Sequence, residues 1–168
     1  MKKGKRKTPL LWVSVIVILI AAAAYFFIKS NEPPTVGIYF IKGEKLIEVK
    51  RPLPPNVSEL AYAAEELMAG PGKAERDDGI FTEIPAGTKI ISVGRSEAEA
   101  VITFSDELEN YGGGSARVQG LVAQIVYTFT SIPGIQKVKI MVGKKESVVL
   151  GGEGFVIDRP LSREDVKL

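Results

Sequence analysis

Residues 118–129, VQGLVAQIVYTF, are the stretch that decides the fold. Apolar side chains recur there at the spacing i, i+3, i+4, i+7 and i+8, which places them on one face of an amphipathic helix. These side chains belong to Val118, Leu121, Val122, Ile125, Val126 and Phe129. Ser115 is the predicted N-cap, and Ile132-Pro133-Gly134 is expected to end the helix. A face this wide must pack against other secondary structure, because it cannot remain in water.

A second helix and three β-hairpins surround this segment in the sequence. The second helix has the same apolar spacing, is expected to begin with a capping box of Asn56 and Glu59, and ends at Gly70-Pro71-Gly72. Its apolar positions are Leu60, Ala63, Ala64, Leu67 and Met68. The predicted hairpins pair residues 36–41 with 46–50, 89–94 with 98–104, and 138–142 with 147–150. Residues 73–88 are predicted as a polar, turn-rich loop.

The order of these elements predicts an α+β fold. Hairpins and helices alternate, and two helices can cover one face of a sheet of up to six strands. We therefore expect a two-layer sandwich, with a largely antiparallel sheet and both helices on one face. This domain would occupy residues 35–168.

A transmembrane helix is predicted before this domain. Residues 10–28, LLWVSVIVILIAAAAYFFI, contain Ser14 as their only polar side chain. As a helix they would span roughly 28 Å, close to the thickness of the hydrocarbon core of a bilayer. Residues 1–9 form a basic tail with five cations and no acid, so the positive-inside rule places the N-terminus in the cytoplasm. Residues 29–34 are the linker.

The N-terminal segment has a second interpretation as a cleaved signal peptide. The four alanines at 21–24 supply the small residues that signal peptidase requires. The apolar run nevertheless continues through residues 25–28, which is longer than a secretory apolar core usually is. We therefore predict an uncleaved, single-pass signal-anchor in the cell membrane. With either interpretation, the domain at 35–168 is extracytoplasmic.

The composition excludes several kinds of chemistry. The chain has no His and no Cys, so disulfides, thiol nucleophiles, His-based general bases and His/Cys metal sites are absent. It has 22 Lys and Arg against 20 Asp and Glu, and five of the cations lie in the basic tail. The remainder is therefore slightly acidic, which argues against nucleic acid as a partner.

Three polar clusters are possible sites. A divalent cation could be held by the carboxylates of Glu75, Asp77, Asp78 and Glu83, but their spacing matches no calcium-binding loop. A glycosidase could use Asp106, Glu107 and Glu109 near Tyr111, but nothing in the sequence pairs them with a second acid. Residues 112–115, GGGS, precede a helix and could hold an anion with their backbone N–H groups, but they lack the downstream Lys and Ser or Thr of a phosphate loop. We therefore predict no catalytic, cofactor-binding or metal-binding residues, no cofactor and no enzyme activity.

Three polar residues of the strongest helix lie beside its apolar face. They are Gln124, Tyr127 and Thr128. In one interpretation Tyr127 is half-buried, and Gln124 and Thr128 complete local hydrogen bonds. In the other, this flank of the helix is a contact surface for a partner. Exposed sheet edges offer another route to association, by addition of a strand.

Several short motifs resemble the GerMN domain of the sporulation and spore-germination family. The motifs are LMAGP at 67–71, IPAGT at 84–88, VITFS at 101–105, AQIVYT at 123–128, PGI at 133–135 with Val138, and GGEG at 151–154. Together they cover about residues 35–165. Two departures are the lack of the N-terminal lipid-carrying cysteine that many members have, and Thr103 where many relatives have an acidic or amide residue.

The resemblance implies an extracytoplasmic cell-envelope module without established catalytic activity. Its fold would be similar to the small ring-building domains of envelope complexes. We therefore expect a membrane-anchored interaction module that assembles or stabilises an envelope complex in sporulation or germination. Its expected partners are envelope proteins or further copies of itself. A peptidoglycan- or glycan-binding module is the alternative, although the only tryptophan, Trp12, lies in the predicted span. A wall hydrolase is a weaker third hypothesis.

Overall fold

The computed structural model describes residues 8–30, 33–110, 112, 114–145, 147–151 and 155–166. The chain divides into two compact units, Met1–Pro34 and Thr35–Leu168. The first unit contains helix α1, Thr8–Ser30. Within the described residues, no helix meets the length and apolar content that a membrane span requires. The first seven residues of the basic tail and residues 31–32 of the linker lie outside the described part.

The described residues of the second unit form three further helices and eight strands. In chain order they are β1 Thr35–Lys42, β2 Lys45–Pro52, α2 Glu59–Ala69, α3 Lys73–Asp77, β3 Ile80–Phe81, β4 Ile90–Ser96, β5 Glu99–Phe104, α4 Ser115–Thr130, β6 Lys137–Val142, β7 Val148–Leu150 and β8 Phe155–Ile157. Short 3-10 turns occupy Asp106–Glu109 and Arg163–Asp165.

The strands form three small sheets, so the prediction of a single sheet with both helices on one face is wrong. The strand orders are β2-β1-β3, β4-β5-β6 and β7-β8. The pairing of β5 with β6 is parallel and the other strand pairings are antiparallel, which confirms a largely antiparallel α+β fold. Helix α2 contacts β1 and β4, and helix α4 contacts β1 and β6. Each of these helices therefore contacts strands of both three-stranded sheets.

The third predicted hairpin is also wrong. Strand β6 pairs with β5 after a crossover through α4, as parallel neighbours require. Strand β7 pairs with β8, a strand that the sequence pattern does not predict. Residues 152–154 of the GGEG motif, between β7 and β8, lie outside the described residues.

The apolar patterns of α4 and β5 form the centre of the core. All six predicted apolar residues of α4 are buried. The alternating residues Ala100, Ile102 and Phe104 of β5 are fully buried as well. They belong to one continuous cluster with Ile38 and Phe40 of β1. The two strongest periodicities in the sequence are thereby confirmed.

The helix ends differ in detail from the prediction. Asn56 adopts a left-handed conformation with φ 63°, which asparagine tolerates better than most residues, and it caps no helix. Helix α2 begins at Glu59 instead, after Ser58, so the predicted capping box is wrong. The N-cap of α4 is Gly114 and not Ser115. Gly70 ends α2 as predicted, with φ 74°.

The predicted loop at 73–88 contains α3 and β3, and an ion-pair network fastens it to the domain. Arg51 of β2 donates from Nη2 to Glu75 Oε2 of α3 at 2.7 Å, and from Nε to Glu66 Oε2 of α2 at 3.0 Å. The hydrogen bond from Arg51 is the main reason that the pKa of Glu75 lies below its ordinary value of 4.5. One guanidinium group thus joins a strand to two helices.

Candidate interaction surface along helix α4

One edge of β1 is covered by a helix instead of a strand. In an antiparallel pair, alternate residues turn their backbone N–H and C=O groups away from the partner strand. On β1 these groups meet β3 only near one end, where Ile41 pairs with Phe81. Farther along, the Tyr39 N–H donates to Thr128 Oγ1 of α4 at 3.0 Å. The Gly37 carbonyl accepts a hydrogen bond of 2.9 Å from Ser131 Oγ, just after α4.

Gln124 makes the corresponding contacts one turn earlier on α4. Its Oε1 accepts a hydrogen bond from the Glu83 N–H at 2.6 Å, and its Nε2 donates to Thr82 Oγ1 at 3.1 Å. Gln124, Thr128 and Ser131 therefore form a polar stripe at the spacing i, i+4 and i+7. The side chains of this polar stripe form hydrogen bonds with the edge of β1 and with the segment that follows β3.

Gly120, one turn before Gln124, lets this segment approach the helix closely. A Cβ atom at position 120 would lie 3.4 Å from the Cγ atom of Glu83 and 3.7 Å from Ile41 Cδ1. The glycine inside α4 thus has a packing role that offsets its low helix propensity.

The polar stripe corrects two of the three predicted contact residues. Gln124 and Thr128 both have 0% exposure, so neither side chain can touch a partner directly. The interpretation that they complete local hydrogen bonds is the one that the structure supports. Buried polar groups need such partners, because an unpaired one costs about 1–3 kcal/mol.

Tyr127, the third predicted contact residue, is half-buried at the surface. Its ring centroid lies 5.5 Å from that of Tyr39, with an angle of 59° between the ring planes. The Arg163 guanidinium lies 4.8 Å from the Tyr127 centroid and 5.7 Å from the Tyr39 centroid, within the range of cation–π attraction. Tyr39, Tyr127 and Arg163 together form the tyrosine cluster.

Arg163 also fastens the C-terminal segment to α4 by hydrogen bonds. Its Nε donates to Thr130 Oγ1 at 2.8 Å, and its Nη2 donates to the Tyr127 carbonyl at 3.3 Å. The position of Tyr127 is therefore fixed both by its own helix and by the side chain of Arg163.

A surface groove of about 330 Å³ lies beside the tyrosine cluster. It is lined by Glu44, Lys45, Leu46, Ala123 and Tyr127, from the β1–β2 hairpin and from α4. Charges of both signs, two aliphatic side chains and one phenol meet there. This mixture suits contact with a polypeptide surface, since tyrosine supplies apolar area and a hydrogen-bonding hydroxyl at once.

The structure places each member of the predicted cation cluster in a separate ion pair. Glu75 binds Arg51, Asp77 binds Lys73, Asp78 binds Lys42, and Glu83 binds Arg117 at 2.9 Å. Glu83 alone among the four is buried, with 8% exposure. Across the described part of the chain, no group of three or more acidic side chains is arranged to hold a metal ion.

The predicted glycosidase acids lie on the 3-10 turn after β5. Glu109 accepts from Lys145 Nζ at 2.6 Å. A hydrogen bond with the Ser105 hydroxyl is the main reason that the pKa of the nearby Glu107 carboxyl lies below its ordinary value of 4.5. Tyr111 and Gly113 lie outside the described residues, and Gly112 and Gly114 are exposed. The geometry adds nothing to a catalytic interpretation of this segment.

The fold and its helix-covered strand edge define a small mixed α+β domain with antiparallel sheets. The family model for sporulation and spore germination, Germane, matches residues 37–148. The chain belongs to this family, and the predicted resemblance to GerMN domains is confirmed.

One curated relative is the spore germination protein GerM of Bacillus subtilis (strain 168). It is 30% identical to this chain over 115 residues, which are 68% of this chain and 31% of GerM. This chain therefore matches about a third of the length of that relative.

Solved structures show the same fold. The first GerMN domain of Bacillus subtilis GerM has a TM-score of 0.63 and 26% identity, and the match covers 79% of this chain and 99% of that domain. The tandem GerMN domains of the same protein have a TM-score of 0.59 and 19% identity. That match covers 79% of this chain and 45% of the solved chain. A putative lipoprotein from Clostridium perfringens has a TM-score of 0.57 and 24% identity. That match covers 79% of this chain and 90% of the lipoprotein chain.

The substitution Thr128→Val tests the role of the polar stripe. It keeps the shape of the side chain but removes the acceptor of the Tyr39 N–H, so the free energy of unfolding should fall by about 1–3 kcal/mol. Denaturant unfolding followed by circular dichroism measures this change. Thr128→Ser, which retains the hydroxyl, is the matched control and should lose less. Equal losses for the two variants would show that the hydrogen bond contributes little.

Proposed function

We propose that this chain is a membrane-anchored, extracytoplasmic GerMN protein that binds an envelope protein during sporulation or germination. It acts by contact and not by catalysis. Membership in the sporulation and spore-germination family supports the biological setting. The relationship to a spore germination protein supports it further.

Helix α1 is the proposed anchor. It covers Thr8–Ser30 and includes the whole uncharged run of residues 10–28. The five cations before it favour a cytoplasmic N-terminus, so the domain that begins at Thr35 would lie outside the cell. A short linker with two prolines would hold that domain near the membrane surface, where its effective concentration for membrane neighbours is high.

The accessible Tyr127 is the observation that carries the proposal of contact. Gln124 and Thr128 are buried and form hydrogen bonds inside the domain, whereas Tyr127 borders the groove by the β1–β2 hairpin. Tyrosine is enriched in the binding surfaces of proteins, because it buries a large area with few rotatable bonds. The tyrosine cluster also holds the ring in one position, which reduces the entropy lost on binding.

The chemistry of the side chains supports a non-catalytic role. The chain has neither His nor Cys, so a general base or nucleophile would have to come from carboxylates, hydroxyls or lysines. Between α2 and β4, the carboxylates of Glu75, Asp77, Asp78 and Glu83 are all engaged by basic side chains. Each of the four carboxylates thus contacts a different basic side chain.

The topology of the anchor can be tested by protease treatment of intact protoplasts. The domain at 35–168 should be digested by protease added outside, because the basic tail retains the N-terminus inside. Immunoblotting with an epitope tag at the C-terminus measures the digestion, and a cytoplasmic marker protein provides the control. Complete protection of the tag in intact protoplasts would contradict the proposed location.

The contact role of Tyr127 can be tested in the spore-forming host. Tyr127→Glu adds a charge beside the groove and should lower sporulation or germination efficiency severalfold, while Tyr127→Phe should retain most of it. Gln119→Glu adds the same charge at another exposed position of α4 and is the matched control. The amide variants Asp106→Asn and Glu107→Gln should have little effect. Circular dichroism and the thermal midpoint verify folding in each case.

Two results would contradict this proposal. One is normal efficiency in a folded Tyr127→Glu strain. The other is loss of function from the amide changes alone, which would favour a carboxylate site.

A further inference from the structure

We propose that a cavity between the end of α2 and the loop before β4 binds the carboxyl-terminal end of a peptide or protein. The terminal carboxylate would bind Arg76, and the last side chain would pack against the apolar wall of the cavity. This second site goes beyond the proposed function and does not depend on it. The cavity shares no lining residue with the groove beside Tyr127.

Two motifs of the sequence meet around this cavity. They are LMAGP at 67–71 and IPAGT at 84–88, and every residue of both lines it. Arg76, Phe81 and Thr82 complete the lining, and the volume is about 370 Å³. This volume lies toward the lower end of the range for ligand pockets, so the cavity has room for a few residues of a peptide.

The wall of the cavity is formed without a ligand. Gly70 and Gly87 turn the chain with φ 74° and 88°, a conformation that glycine adopts at little cost. The Thr82 hydroxyl oxygen accepts hydrogen bonds from the Ile84 N–H at 3.2 Å and from Gln124 Nε2 at 3.1 Å. The polar stripe of α4 therefore also holds this wall in place. A preformed site of this kind loses little conformational entropy on binding.

Arg76 is the cation of this cavity, and it forms no ion pair within the described part of the chain. Its Nη1 donates to the Pro71 carbonyl, which holds the guanidinium at the cavity. Three acids lie on or beside the same short helix, but each is paired with another base. The pairs are Glu75 with Arg51, Asp77 with Lys73, and Asp78 with Lys42. The Nε and Nη2 groups of Arg76 remain, and such a pair binds a carboxylate with two parallel hydrogen bonds.

Thr88 supplies a second unsatisfied group in the same wall. Among the described residues, its Oγ1 is the one buried side-chain oxygen or nitrogen without a hydrogen-bond partner. A threonine side chain can change its χ1 rotamer, which would turn the hydroxyl from the wall into the cavity. A carboxylate that accepted this hydroxyl would remove the cost of leaving a buried polar group unpaired.

The lining favours a chain terminus over other anions. Arg76 is the only charged residue among the described residues that line the cavity, so the site matches a single negative charge. Met68, Phe81 and Ile84 supply apolar surface, and Phe81 is 40% exposed. The last residue of a peptide carries its carboxylate and its side chain on the same carbon atom, so it can contact the cation and the apolar surface together. An acidic side chain carries the carboxylate alone.

A larger apolar groove adjoins the cavity and provides space for the preceding residues of the peptide. Met68 and Thr88 line both of them. The groove has a volume of about 510 Å³ and lies between α2 and β4, with Ala61, Ala64 and Val93 in its apolar lining. This continuity favours a peptide over a small isolated carboxylate such as acetate, because burial of further apolar surface stabilises the complex.

Methyl signals of methionine make this site observable in the full-length chain. Of the three methionines, Met68 lines the cavity, whereas Met141 of β6 does not. With carbon-13 in the methionine methyl groups, the protein in detergent micelles should give one NMR signal for each. The peptide acetyl-Ala-Ala-Leu with a free carboxylate should shift the Met68 signal and leave that of Met141 unchanged. The same peptide with a C-terminal amide should bind about tenfold more weakly, because it lacks the charge-assisted hydrogen bonds.

Two substitutions test the groups that bind the peptide. Arg76→Gln should weaken binding about tenfold. Lys73→Gln, on the same short helix, is the matched control and should have no effect, because Lys73 pairs with Asp77 and does not line the cavity. Thr88→Val should weaken binding severalfold without lowering the free energy of unfolding, since its hydroxyl has no partner in the free protein. Denaturant unfolding followed by circular dichroism measures the stability of each variant.

Three results would overturn the inference. The first is equal binding of the free and the amidated leucine peptides, and the second is equal binding by Arg76→Gln and Lys73→Gln. The third is equally tight binding of acetyl-Ala-Ala-Asp with an amidated terminus, which would show that the site recognises an acidic side chain. Tyr127→Glu should leave peptide binding unchanged, because its groove is separate. If the peptide does not bind while Tyr127→Glu still impairs the strain, this site fails but the contact function stands.

Discussion

The hydrogen bonds between the polar stripe of α4 and the open edge of β1 are the interaction on which the rest of the domain depends. Strand β3 has two residues and pairs with β1 only at Ile41 and Lys42. Buried N–H and C=O groups farther along would be left unpaired, at a cost of a few kcal/mol. Thr128 and Ser131 supply the missing partners. Helix α4 and the residue after it therefore supply the hydrogen-bond partners that a longer third strand would otherwise provide.

This arrangement makes α4 common to both three-stranded sheets. Its polar stripe lies against β1, and its apolar face packs in the same core as β5 and β6. Because β5 and β6 are parallel, their connection must cross over, and α4 is that crossover. On α4 the first turn and Gln119 remain exposed, and near the other end of the helix Tyr127 is half-buried beside the groove. The fold thus limits where contact on this helix can occur.

The sequence predicted the parts of the fold that depend on periodicity. The apolar face of α4 and the alternation at Ala100, Ile102 and Phe104 were visible because regular spacing and burial go together. The split into separate sheets was not visible. Strand β3 is too short for a periodic signal, and the partner of β6 depends on long-range packing and not on the nearest turn.

The candidate site was predicted in part for a similar reason. Gln124 and Thr128 were recognised as polar residues beside an apolar face, and both interpretations of them were open. Their spacing with Ser131 was the signal that could have indicated a helix bonded to a strand edge. Arg163 was missed, because nothing local connects it to Tyr39 or Tyr127, which precede it by many residues.

Native-state hydrogen exchange at the Tyr39 amide tests the central claim most directly. The amide points away from β2, so only the Thr128 hydroxyl can protect it. We predict that Tyr39 exchanges as slowly as the neighbouring core amides Ile38 and Phe40, through global unfolding. Thr128→Val should speed the exchange of all three amides by the loss of global stability, and should speed the exchange of Tyr39 further than that of Ile38 and Phe40. Fast exchange at Tyr39 in the unaltered protein, with Ile38 and Phe40 protected, would show that α4 does not close the edge of β1.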